Sequence, residues 1–223
     1  MRKIGFIAKE GYKFFVIFAL ISAIIISLKF IFETTSIFNI CIYITGGIFA
    51  FLAFFSLLFF RNPKRILIPD NSKVICPADG KVVLIEEVKD EWTGEKSKKV
   101  SVFMSVFNVH INRISLSGKI NKVTYTPGIF LNAADTRASF ENERNRVEIE
   151  GDFKIAVIQI AGLIARRIKC FVKDGDNVTQ GDYLGLIQFG SRLDIIVPEE
   201  IEIKVQKGQL VKAGVDIIGI KSR

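Results

Sequence analysis

Histidine occurs once in this chain, at position 110, and cysteine only three times in 223 residues. A single imidazole excludes a histidine-rich metal centre, although an all-carboxylate site stays open. Cys41, Cys76 and Cys170 are odd in number and have no C-x-x-C spacing, which fits thiols in a reducing compartment better than a disulfide scaffold or a zinc site. Basic recognition helices with interleaved aromatic residues are also missing. The formal charge of +8 is concentrated at one end: residues 1–65 hold eight Lys/Arg and two Glu, a balance of +6, leaving +2 for the other 158 residues. That distribution suits anionic lipid headgroups and gives no support for nucleic acid as a partner.

Hydrophobic residues, by contrast, make up 49% of the chain. Residues 14–28, FFVIFALISAIIISL, are apolar apart from two serines, and residues 37–60, IFNICIYITGGIFAFLAFFSLLFF, contain no charge. These runs predict a transmembrane helical hairpin with helices at about 14–32 and 37–60, forming a membrane unit of residues 1–65 ahead of a second domain at 66–223. Lys29 reaches the headgroups by extending its stem. Basic residues precede and follow the hairpin, which places both ends, and the second domain, on the cytoplasmic side of the cell membrane. A cleaved signal peptide is the alternative for the first run, but no A-x-A-like site follows it.

Beyond residue 66 the chain alternates short β-branched runs with glycine turns, as in KVICPADGKVVLIEEV and FKIAVIQIAG, and predicts a mainly β domain. VKDGDNVTQGDYLGLI at 172–187 and VQKGQLVKAGVDIIGI at 205–220 share V-x-x-G-x-x-V-x-x-G in register. Paired copies of that pattern resemble the flattened sandwich of biotinyl/lipoyl-carrier (hammerhead) domains, with residues 188–198 connecting the halves. A carrier presents a lysine at that connection, yet this stretch has none. Its polar centre is Gly190-Ser191-Arg192. A non-catalytic, membrane-tethered adaptor of lipoyl-like fold accounts for the hairpin and the repeat but gives Ser191 no purpose.

A serine that follows a glycine can attack the preceding carbonyl in an N-to-O acyl shift, given a base and donors for the oxyanion. Elimination from the ester leaves a dehydroalanine, which hydrolyses to a pyruvoyl group. Gly-Ser alone is too common to carry this reading. Asn108, His110 and Asn112 share one face of an otherwise apolar strand. A lone histidine is more often structural, but it is the side chain that titrates near neutrality. Asp79 in PADG is either a turn residue ahead of Gly80 or the acid that orients His110. Phe130, Asn132, Arg137, Asn142, Glu143 and Arg144 form either a solvated charge network or substrate contacts, with Arg137, Arg144 or the Arg166-Arg167 pair as candidates to clamp a phosphodiester.

Taken in order, PADG at 77–80, FMS-x-x-x-VH-x-NR ending at Arg113, G-x-F-x-NA through ENERN at 128–145, IAG-x-x-ARRI ending at Ile168, and FGSR at 189–192 resemble the phosphatidylserine decarboxylase family in its short bacterial and archaeal form. The resemblance covers the whole second domain. It implies a proenzyme that cuts itself between Gly190 and Ser191, leaving chains 1–190 and 191–223 associated, and a covalent pyruvoyl group derived from Ser191. It implies a carboxy-lyase that forms a Schiff base with a serine-headgroup phospholipid in the bilayer, either phosphatidylserine or its ether-linked archaeal counterpart, and releases carbon dioxide. Ser191, His110 and Asp79 become the catalytic candidates. Phe103, Phe107, Asn112, Arg113, Phe130, Asn132, Arg137 and Phe189 become the substrate-binding candidates. No metal is expected, and a homodimer is left open. Many members carry a second histidine where this chain has Arg113, so His110 covers roles that others divide.

Overall fold

A computed structural model describes residues 5–32, 35–65, 67–131, 137–162, 168–188 and 191–221, and the chain divides into two units, Lys3–Pro63 and one beginning at Lys64. In the first unit, α1 (Lys9–Ile31) and α2 (Ser36–Phe59) are 23 and 24 residues long. At 1.5 Å per residue each spans about 35 Å, enough for a hydrocarbon core of about 30 Å. Both are long and apolar enough to cross a membrane. α1 starts ahead of the apolar run because Lys9, Glu10 and Lys13 are adequate helix formers. Small residues bring the helices together: a Cβ at Gly46 would lie 2.7 Å from Ile26, and the Ser22 hydroxyl donates to the Gly46 carbonyl at 2.8 Å. Lys29 donates to the Tyr43 hydroxyl and sits over its ring.

The second unit is almost entirely strand. It opens with β1 (Lys73–Ile75), β2 (Gly80–Asp90) and β3 (Gly94–Met104). There follow β4 (Ile111–Arg113), β5 (Gly118–Thr126), β6 (Arg144–Glu150), β7 (Lys154–Ile160), β8 (Ile168–Cys170), β9 (Asn177–Val178) and β10 (Tyr183–Ile187). It closes with β11 (Ser191–Pro198), β12 (Ile201–Ile203), β13 (Leu210–Val211) and β14 (Ile217–Lys221). Eight strands form one antiparallel sheet in the order β13-β2-β3-β11-β7-β6-β5-β9, and two three-stranded sheets, β1-β14-β12 and β4-β10-β8, accompany it.

That order is two repeats, one nested in the other. Strands β4–β10 make one uninterrupted repeat; β1–β3 and β11–β14 make the other, split around it. The short strands β9 and β13 hold the two edges of the large sheet, β10 and β14 are the central strands of the small sheets, and β7 meets β11 in the middle. Corresponding hydrogen bonds recur. Gly214 N–H donates to Cys76 O as Gly181 N–H does to Ile114 O, both at 2.9 Å. Gly208 N–H donates to Val82 O as Gly175 N–H does to Ile120 O. These four glycines, the ones in the duplicated sequence pattern, all have positive φ.

Residues 188–198 do more than join the halves. Ser191–Pro198 is a strand in the centre of the sheet, paired over eight residues with β3 and over five with β7, and buried throughout. Covered on both faces, it shows no alternation of apolar and polar residues. Nor do β10 and β11 form a hairpin, since they belong to different sheets. The inward face of the large sheet, with Val100, Val102, Val147, Ile149, Ile155, Val157, Leu193 and Ile195, builds the core.

Candidate active site

Nesting one repeat in another makes the chain cross between them twice, after β3 and after β10. The strand ends on either side of these crossings are paired, Met104 with Ser191 and Ile111 with Leu186. His110 and Ser191, 81 positions apart in sequence, therefore stand at the ends of neighbouring crossings. Ser191 is four positions on from Ile187, a reach of at most about 14 Å. The first crossing is pinned as a turn: Asn108 Oδ1 accepts from the Ser105 N–H and hydroxyl, both at 2.8 Å, and Asn108 N–H donates back to Ser105 O at 3.0 Å.

His110 is 0% exposed, and its Nδ1 lies 2.9 Å from the Asn108 carbonyl. A carbonyl only accepts, so Nδ1 carries the hydrogen of the neutral ring and Nε2 carries the basic lone pair. The tautomer is thus set by a local backbone carbonyl, where a carboxylate from Asp79 was expected. Ser191 is likewise 0% exposed, and its Oγ has no hydrogen-bond partner among the described residues. A buried hydroxyl without a partner is unusual in a folded protein. Its loss on conversion to a pyruvoyl group breaks no hydrogen bond among the described residues, so the position suits that group.

Asp79 precedes β2, at the end of the sheet where β11 begins. Gly80 is pressed there against β3, since a Cβ would fall 2.2 Å from the Phe103 carbonyl. Asp79 Oδ1 accepts from Ala213 N–H at 2.8 Å, and Arg65 Nη2 reaches both carboxylate oxygens at 3.2 and 2.9 Å. The other repeat shows which part of this is scaffold. There Ser117 precedes Gly118, and its hydroxyl accepts from Gln180 N–H at 3.0 Å. One acceptor satisfies the turn, and the negative charge is additional. Asp79→Ser is accordingly expected to keep the turn but lower the melting temperature through a lost, mostly buried ion pair, while slowing any maturation that uses the charge. Thermal melting beside a time course of chain cleavage checks this, and cleavage at the native rate would return Asp79 to a turn residue.

Arg113, in the place of the second histidine, turns into the same region. Its Nη1 donates to the Gly181 carbonyl at 3.0 Å, and its guanidinium lies 5.0 Å from the Tyr183 ring centre. Burial pulls it below the usual arginine value, with Arg65 pulling the same way and Tyr183 and Asp79 opposing. Asn112 belongs to a buried chain of amides: it accepts from Gln159 Nε2 at 2.8 Å, Gln159 accepts from Asn145 at 3.3 Å, and Asn112 Nδ2 lies 3.6 Å from Met104 Sδ, next to Ser191 in register. Phe103 is half-buried opposite Arg192, Phe107 is 68% exposed, Phe130 packs on the core and Arg137 is exposed. Asn132, Phe189 and Gly190 lie outside the described residues, as do Arg166 and Arg167. Asn142 serves the backbone, bonding both polar groups of Leu131 and the Ala161 carbonyl.

Sequence reasoning missed Arg65, Gln159 and the Arg192–Asp194 pair. Arg65 was grouped with basic residues facing lipid; its side chain is instead 15% exposed and bound to Asp79. Gln159, the one polar residue after Lys154 in KIAVIQI, was a usable signal, because a polar side chain within a strand covered on both faces needs a buried partner. Cys76 is no rival nucleophile: burial pushes its thiol up to about 12.

Comparison with known proteins agrees with this geometry. The family model described as phosphatidylserine decarboxylase matches residues 51–219. The phosphatidylserine decarboxylase proenzyme of Geotalea uraniireducens is 41% identical over 216 residues, covering 96% of both chains. That of Syntrophus aciditrophicus is 42% identical over 222 residues, 98% of this chain and 99% of its own. That of Magnetococcus marinus is 40% identical over 222 residues, 98% and 97% of the two. Matched by that family model and by relatives of 40–42% identity over 96–98% of its length, the chain belongs to the phosphatidylserine decarboxylase family.

Proposed function

We infer that this protein is a phosphatidylserine decarboxylase, made as a proenzyme that cuts itself at Gly190–Ser191 and then converts phosphatidylserine to phosphatidylethanolamine and carbon dioxide. The observation that carries this reading is the buried Ser191 hydroxyl, without a hydrogen-bond partner among the described residues, at the head of a central strand, beside the crossing that ends in His110. In self-cleavage, Ser191 Oγ attacks the Gly190 carbonyl carbon as a base takes its proton, and the amide nitrogen is displaced to give an ester. Loss of the Ser191 α-proton then expels the ester, so that Gly190 departs as a carboxylate carrying the serine oxygen. Water replaces the remaining nitrogen, which leaves as ammonia, and a ketone stays at position 191.

His110 takes the hydroxyl proton at Nε2, with Nδ1–H held on the Asn108 carbonyl so that the ring cannot present the wrong nitrogen. Asp79, held by Arg65, supplies negative charge to the same end of the sheet and balances a cationic imidazole. Once formed, the pyruvoyl carbonyl supplies the electron sink for decarboxylation. His110 then delivers a proton to the carbon that has lost carbon dioxide. Phe103 and Phe107 supply apolar surface near the substrate carboxylate, and Arg113 and Arg137 supply charge for the lipid phosphate.

The hairpin keeps the enzyme where its substrate is. Diacyl chains stay in the bilayer at about 0.8 kcal/mol per buried methylene, so the headgroup has to be met at the membrane surface. The basic residues flanking the hairpin orient the catalytic unit toward the cytoplasm. A lipoyl-like adaptor or carrier leaves both His110 and Ser191 without work. The test is intact-mass analysis of membrane-purified protein together with carbon dioxide release from phosphatidylserine vesicles. Two fragments, meeting at 190/191, and gas release are expected; an unbroken chain that releases none would defeat the proposal.

A further inference from the structure

Arg192 and Asp194 take no part in that chemistry. They lie on the face of β11 opposite to Ser191 and Leu193. Both side chains are 2% exposed and meet as fork and carboxylate, Nε to Oδ1 at 2.9 Å and Nη2 to Oδ2 at 3.1 Å. Taking two charges out of water is unfavourable unless they are paired this closely. Burial pushes the Asp194 carboxyl up from its ordinary value, while Arg192, Ser101 and Lys99 pull it down.

The architecture does not require these charges. In the split repeat, Leu193 pairs with Val102 of β3; in the intact repeat, Ile155 pairs with Ile149 of β6 in the same way. The counterpart of Asp194 is therefore Ala156, also fully buried. A carboxylate stands there only in the repeat whose strand begins at the scissile bond. Before cleavage that strand is tied to the chain at both ends, whereas afterwards it starts with residue 191, and free strand ends fray. Ser191 pairs with Met104 on one side, but Arg192 pairs with both Phe103 and Ile160. Arg192 is thus the first residue of the new end held from two directions.

We propose that the Arg192–Asp194 pair is a clamp that holds the newly made amino end of the small chain in register after self-cleavage, making both residues positioning residues for the group at 191. This rests on the self-cleavage reading above. Asp194→Asn in the full-length membrane protein is expected to cleave within about threefold of the native rate, because the uncut chain holds the strand from both sides. The mature variant should turn over phosphatidylserine about 10- to 100-fold more slowly with KM little changed, as misplacement of a reacting group by about an ångström does. Its ketone should be labelled faster by a small hydrazide, and the amides of residues 192 and 193 should exchange faster with deuterium. Arg192→Lys, which keeps both charges but not the fork, should show only part of each loss. If Asp194→Asn fails to fold, the charge-free pair Arg192→Met with Asp194→Ala takes its place, since Ala156 shows the fold accepts alanine. Native hydrazide labelling and amide exchange in the mature variant would overturn the clamp while leaving self-cleavage intact. A native chain that is never cut overturns the self-cleavage reading, and the clamp with it.

Discussion

Ser191→Ala leaves a single chain of 223 residues and no decarboxylase activity. The substitution removes one oxygen that has no hydrogen-bond partner among the described residues, so nothing in the fold should register the change. Stability is expected to stay within about 0.5 kcal/mol of the native proenzyme, the range of substitutions that break no identifiable interaction. Activity and cleavage should both vanish, because the same oxygen is the nucleophile of maturation and its carbon skeleton becomes the cofactor. Denaturing electrophoresis with intact-mass analysis separates the outcomes: fragments of 190 and 33 residues in the alanine variant would remove Ser191 from its role. A variant that is uncut yet releases carbon dioxide would remove the cofactor instead.

His110→Ala is expected to have the next largest effect. A positioned general base contributes about 10²- to 10⁴-fold, and this chain has no second imidazole to take over. Maturation should then slow by about that factor, read as the fraction of uncut chain against time. Fragments forming at the native rate would confine His110 to turnover. The ring is fully buried, so the alanine also opens a cavity and lowers stability. His110→Gln, which fills most of that volume without supplying a base, separates the two effects: it should melt nearer the native protein and mature as slowly as alanine.

Much of the architecture was legible because the relevant signals are local. The two apolar runs announce α1 and α2, and Gly175, Gly181, Gly208 and Gly214 mark turns that need positive φ. Nesting was not legible, because β-strand partners are chosen by the whole sheet: nothing near Met104 says that its neighbour will be Ser191. The motif residues Ser191, His110 and Asp79 could be named from sequence, but not their partners. Asn108 rather than Asp79 holds the His110 ring, and Asp79 is held by Arg65, a residue that looked like part of a lipid-facing cluster. The charges in SRLDIIVP gave no hint that they would be buried, because an exposed strand face has the same composition.

The nested repeat also makes maturation depend on long-range assembly. Residues 191–221 supply β11, β12, β13 and β14, strands distributed over the large sheet and one of the small ones, and they follow the whole of the intact repeat in sequence. The Met104–Ser191 pairing that sets the head of β11 in the sheet joins positions 87 apart, with the whole intact repeat between them. A nascent or misassembled chain keeps its hydroxyl away from the imidazole and stays uncut. Scission is then a checkpoint on assembly, passed only with both parts of the split repeat in place.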